Sequence, residues 1–137
     1  MLETTVQYLD GVKFSVSSRG HAIVCDQPAE NGGEDCGMTP PEFLLASLGT
    51  CAGFYAAQYL KARSLPVEGL RVRVEAEKAQ QPARLSSFLI EVTAPHADDA
   101  RHGEGLRRAV ERCLIHKTLI HPPTIAIDLK APALATI

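Results

Sequence analysis

Tryptophan is absent from this 137-residue chain and aromatics make up only 5% of it, so large rings supply little of any core. Charge is nearly balanced: 14 Lys and Arg face 16 Asp and Glu, a net charge of −2. No nucleic-acid partner is expected, because a general attraction to phosphates needs a basic face. The chain carries no GxSxG, GxxxxGK[ST] or HExxH pattern. Motif-based readings as a nucleophile-elbow hydrolase, a P-loop nucleotide enzyme or a zincin therefore fall away. Gly32-Gly33 has no strand before it and no GK[ST] after it. The start, Met1-Leu2-Glu3-Thr4-Thr5, is not the basic-then-apolar opening of an export signal. Cys25, Cys36, Cys51 and Cys113 are accordingly expected as cytoplasmic thiols rather than a disulfide framework. No repeat, low-complexity tract or second domain is visible, and residues 1–137 read as a single domain.

The richest stretch is Pro40 to Arg63, the longest apolar run in the chain. Proline is tolerated in a helix's first turn, so Pro40-Pro41 reads as a helix start with Thr39 as N-cap and Glu42 in the first turn. Apolar residues cover most of the circumference, which predicts burial on more than one side. Gly49 and Gly53, one turn apart, leave room for another backbone. Ser47, Thr50, the two glycines and Gln58 interrupt the run, so no membrane span is expected.

Before this helix, Thr4–Leu9, Val12–Ser17 and His21–Asp26 read as three strands joined at Asp10-Gly11 and Ser18-Arg19-Gly20. Residues 27–39 form a loop long enough to be functional. After the helix, Leu70–Glu77 and Phe88–Val92 alternate as a second hairpin turning at Gln80–Arg84. Leu106, Ala109, Val110 and Cys113 follow the spacing of an amphipathic helix that ends near Lys117–His121. Ile125, Ile127 and Leu129 alternate as a last strand. The expected order is βββ–α–ββ–α–β, an α+β fold of antiparallel sheet on two helices. A central helix this apolar is most economically buried in a symmetric homodimer.

Cys51 and Cys113 fall on the inner faces of the two helices, so their thiols approach if the helices pack. Free cysteine usually behaves as a small buried hydrophobe, and this reading stands beside a reactive one, which needs a cation near the sulfur. Arg19 is the candidate cation. Cys113-x-x-His116, with His121 beyond, has metal-ligand types, but no second such pair completes the four ligands of structural zinc. No metal or cofactor is expected, and the five histidines read as surface or locally bonded.

GMTPPEFLLASLGTC at 37–51 and RCLIHKTL at 112–119, with SSRGHAIVCDQP at 18–28 and HPPTIAIDL, resemble the OsmC/Ohr family of osmotically inducible and organic hydroperoxide resistance proteins. The resemblance implies an intertwined α+β homodimer with antiparallel sheets wrapped around the long central helix and two sites at the interface. It implies thiol-dependent reduction of organic hydroperoxides, with Cys51 as peroxidatic thiolate, Cys113 as resolving thiol and a dithiol, possibly lipoyl-type, as reductant. Arg19 would be the stabilising guanidinium and Glu42 the catalytic carboxylate. Pro41 stands where characterised peroxidases carry a glutamate, one residue or ~100° of helix before Glu42. Leu114 replaces the proline usual after the second cysteine. The alternative is a binding module of the same fold, for a small apolar or thiol ligand, without turnover.

Overall fold

The computed structural model describes residues 1–130. Strands β1 (Thr5–Asp10), β2 (Lys13–Ser18) and β3 (His21–Cys25) form an antiparallel meander. Its first turn uses Gly11 at φ +55°, and its second carries both Arg19 and Gly20 at positive φ, 51° and 84°. Two left-handed central residues are what a tight hairpin with the strands' own twist requires. The following loop closes around Asp26, which is 1% exposed. Its carboxylate accepts backbone N–H groups from Gln27 at 2.8 Å, Glu34 at 3.2 Å and Cys36 at 3.0 Å. Lys13 on β2 reaches Glu34 at 2.6 Å and ties the loop to the meander.

Helix α1 (Pro40–Ala62) starts as expected. Thr39 and Glu42 form a reciprocal capping box: the Glu42 carboxylate accepts from the Thr39 amide at 2.9 Å, and Thr39 Oγ1 accepts from the Glu42 amide at 3.5 Å. By length and composition α1 could cross a membrane, with a mean hydropathy of 1.2 over its most apolar window. In the fold it is the central core helix. Strands β4 (Arg71–Ala79) and β5 (Arg84–Thr93) form an antiparallel hairpin, and β4 crosses α1 at the two glycines. A Cβ on Gly49 would lie 3.1 Å from Val74 Cγ2, and one on Gly53 3.6 Å from Val72 Cγ2.

Helix α2 (Ala100–Glu111) packs on the C-terminal half of α1. Ala52, Ala56, Tyr59 and Leu60 meet Leu106, Ala109 and Val110 there. Tyr59 docks the two helices: its hydroxyl pairs with His102 Nδ1 at 3.0 Å, and the Arg63 guanidinium stacks 3.7 Å above its ring. Gly105 is required at this crossing, because a Cβ would collide with the Tyr59 ring.

Two expectations are corrected. The amphipathic segment after residue 100 is two helices: the chain breaks at Arg112–Cys113 and resumes as α3 (Leu114–Ile120). Cys113 takes φ −54° and ψ 132°, an extended N-cap conformation. The apolar spacing runs straight through the break, so periodicity does not reveal it. The strand expected at Ile125–Leu129 is not formed within the chain. A strand needs a neighbour to bond, and this segment has none among the described residues: Ile125, Ile127 and Leu129 are 80%, 86% and 86% exposed. The meander is similarly unpartnered, every residue of β1 being exposed. The antiparallel α+β class is observed, with the order βββ–α–ββ–α–α among the described residues.

Thr39→Ala is expected to destabilise the fold by about 1 kcal/mol, read as a lower denaturant midpoint at unchanged slope. The three amides hold the Asp26 carboxyl below its ordinary value of 3.8, the Cys36 amide contributing most. Because the folded value lies below the unfolded one, this stabilisation is complete above about pH 4 and disappears as pH falls through the lowered value. Asp26→Asn should lower the melting temperature at pH 7 and flatten its dependence on pH below about 4, where the wild-type carboxylate takes up its proton; an unchanged acid slope would remove Asp26 from this role.

Candidate functional site

Cys51 lies midway along α1 and is half-buried; Cys113, at the α2–α3 break, is 0% exposed. Both are free thiols. The break is what brings them together. It redirects the chain so that α3 starts against α1 and Cys113 becomes a neighbour of Cys51, close enough for the Cys51 thiol to influence its ionisation. The Cys113 backbone is fixed on both sides: its N–H donates to Val110 O at 3.0 Å, and its carbonyl accepts from Lys117 N at 3.0 Å.

Burial pushes the Cys113 thiol pKa up, and the hydrogen bond to Cys51 pushes it the same way. The amides of His116 and Ile115, which face the sulfur at the start of α3, act in the opposite sense without closing a capping hydrogen bond. Cys113 is thus held as a thiol that donates toward Cys51. Exposure separates the two: a molecule from solvent can meet Cys51, whereas Cys113 is closed to solvent.

The other two expected residues are elsewhere in the same chain. Glu42 precedes Cys51 by nine residues, which on a helix is about 180° of rotation and roughly 13.5 Å of rise. Its carboxylate is committed to Thr39, whose amide and hydroxyl lower its pKa. Arg19 lines a shallow recess whose walls, including Glu3, Thr5, Ser17 and His21, all come from the first 22 residues. One chain therefore assembles the two sulfurs and brings neither Glu42 nor Arg19 to them.

A cavity of about 540 Å³ lies between α1, β5 and α3, lined by Leu44, Leu48, Phe88, Ile90, His116 and Leu119 among others, with neither cysteine in its wall. Leu44 precedes Cys51 by seven residues and so shares its face of α1. A second cavity of about 790 Å³, between β5 and α2, also has His116 in its wall. His116 is not the surface or locally bonded residue that the sequence suggests. Its Nδ1 is buried without a hydrogen-bond partner. His121 is locally bonded, Nδ1 lying 3.1 Å from Lys117 O. Among the described residues, no three His, Cys, Asp or Glu side chains converge as a metal site. Asp26 is a structural centre that sequence reasoning missed, since an aspartate at a strand end looks like any loop acid.

The fold recurs in solved structures. A protein from Psychrobacter arcticus 273-4 named for osmotic stress induction and a detoxification response superposes with a TM-score of 0.78 at 22% identity, over 89% of this chain and 90% of that one. An OsmC-like protein from Mycoplasma pneumoniae gives 0.73 at 19% identity, over 89% of both chains. The organic hydroperoxide resistance protein OsmC from Legionella pneumophila gives 0.65 at 15%, over 85% of this chain and 88% of that one. At such identities the likeness speaks for the fold alone. No curated protein matches the chain. The family model described as OsmC-like protein matches residues 32–128, a span that holds both Cys51 and Cys113, and the chain belongs to the OsmC-like family.

Proposed function

We propose that this protein is a thiol peroxidase that reduces organic hydroperoxides in oxidative stress defence. The observation that carries the reading is the pairing of a partly exposed thiol, Cys51, with a neighbouring buried thiol, Cys113, in an OsmC-like chain. The name of the Legionella relative, an organic hydroperoxide resistance protein, agrees with it. The Cys51 thiolate attacks the distal peroxide oxygen and the O–O bond breaks. The alkoxide leaves, takes a proton and departs as an alcohol, and Cys51 becomes a sulfenic acid. Cys113 then attacks the Cys51 sulfur, the S–O bond breaks, water leaves and a Cys51–Cys113 disulfide forms. A dithiol, lipoyl-type or similar, reduces that disulfide by exchange in a reducing, cytoplasmic setting.

The working unit in this proposal is an intertwined homodimer. What supports it is apolar surface without a partner in one chain: Val6, Tyr8 and Ile23 on the meander, Phe54 on α1, and Ile125, Ile127 and Leu129 beyond α3. In the dimer the partner's meander carries its Arg19 to Cys51 and supplies the cation that the thiolate needs. The competing reading, a module that binds a small apolar or thiol ligand without turnover, is favoured by one observation: Glu42 is already engaged as a helix cap.

Three measurements test these points. Organic hydroperoxide plus dithiol should oxidise Cys51 far faster than a free thiol, and Cys51→Ser should lose turnover; equal slow consumption by both proteins would leave the binding module. Mass spectrometry after peroxide should find the intramolecular disulfide in the wild type and overoxidised Cys51 in Cys113→Ser. Light scattering should give twice the chain mass, and Arg19→Ala should slow Cys51 oxidation roughly tenfold or more without changing that mass. A monomer that turns over at the wild-type rate would refute the shared site.

A further inference from the structure

A fully buried thiol that must act as a nucleophile needs somewhere to put its proton. Cys113 is 0% exposed, and burial together with its bond to Cys51 holds the proton on the sulfur. His116 is three residues on, at the third position of the helix that Cys113 caps, and its amide faces the Cys113 sulfur. Cys113 is the N-cap and His116 the third residue of α3, so both belong to the first turn of that helix. The imidazole has two unlike edges. Nδ1 is sealed from solvent and has no hydrogen-bond partner. The ring also forms part of the wall of both large cavities, which reach solvent. A buried polar atom left unpaired costs stability, so its persistence calls for a reason. A ring with one buried, unpartnered nitrogen and a place in the wall of an open cavity is able to carry a proton between the interior and solvent.

We propose that His116 is the proton acceptor for Cys113 in the step that joins it to Cys51. The inference rests on the thiol reading of the site. As Cys113 attacks the Cys51 sulfur, its thiol proton passes to the imidazole. The S–S bond forms and the bond from Cys51 to its leaving group breaks. The imidazolium then returns the proton to the leaving group, so that hydroxide departs as water from a sulfenic acid, or a thiolate departs as a thiol from a mixed disulfide. The Cys113 sulfur is oxidised in both cases; its electrons reduce the Cys51 sulfur when the leaving group is hydroxide, and the departing sulfur when it is a thiolate. The charged groups facing the ring are few: Asp98, Arg107 and Glu111 line the larger cavity on the α2 side, and the residues that β5 contributes to either cavity, Leu85, Ser86, Ser87, Phe88, Leu89, Ile90, Val92 and Thr93, are uncharged. Cys51 is the titratable group that α1 brings to Cys113.

The test uses the full chain with Cys25→Ser and Cys36→Ser, so that only the two site thiols remain. Reaction with dithiobis(nitrobenzoate) first puts a mixed disulfide on Cys51; attack by Cys113 then releases a second thionitrobenzoate, a step that needs no peroxide. With an imidazole as acceptor, that second release should already be fast at a pH where an unaided thiol is protonated. His116→Gln should slow it about a hundredfold and move its pH profile toward that of a thiol ionising alone. In His116→Gly, added imidazole should restore the rate, which a merely structural role would not allow. A His116→Gln rate and profile matching the parent, or no rescue by imidazole of a slowed and folded His116→Gly, would overturn the assignment; so would a parent that never releases the second equivalent. Sulfenate trapping with hydroperoxide on the same proteins separates the two ideas. A parent that forms no sulfenate yet shows the imidazole-dependent second release would sink the peroxidase and keep His116.

Discussion

One helix carries more apolar surface than one chain can cover, and the rest of the structure follows from that. Helix α1 buries Leu48, Ala52, Ala56, Tyr59 and Leu60, while Phe54 remains 57% exposed. Burying a side chain of this size contributes roughly 2 kcal/mol, so leaving such residues in water is a standing cost. The β4–β5 hairpin covers one side, at the two glycines where the strand comes close. Helices α2 and α3 cover another, with Tyr59 as the latch. Nothing among the described residues covers the remainder, and the meander, which has apolar side chains of its own to bury, stands apart from the core.

The two thiols inherit their geometry from the same packing. Cys51 is positioned by a helix that cannot shift without opening the core. Cys113 is positioned by a break in the opposing helix, with hydrogen bonds from Val110 before it and Lys117 after it. A continuous helix would carry Cys113 onward in the direction of α2. The extended residue instead turns α3 back against α1 and lets the two sulfurs meet. The capping box at the other end has a comparable role. Thr39 and Glu42 hold the start of α1, and the Asp26 hub holds the loop that leads into it.

Much of this was legible from residue order. Proline pairs, caps and turn dipeptides punctuate the chain so plainly that β1 to β5 and α1 fall where the pattern puts them. The α2–α3 break was not, because Cys113 continues the apolar spacing of Leu106, Ala109 and Val110 while its backbone leaves the helix. The last strand was misread for a different reason: alternation reports which residues could pair, and pairing also needs a neighbour. The thiol pair was visible as two inward-facing cysteines. Glu42 looked available because side-chain type does not reveal that a carboxylate is already engaged. His116 looked ordinary because a nitrogen's lack of a partner can be seen only in three dimensions.

The segment after α3 has a consequence for the life of the chain in a cell. Ile125, Ile127 and Leu129 face solvent in a segment outside any helix or strand, and an alternating apolar segment of this kind is open to capture by an exposed sheet edge. A chain on its own presents this adhesive segment to whatever open sheet edge it meets first, so crowding during synthesis works against its recovery as folded protein.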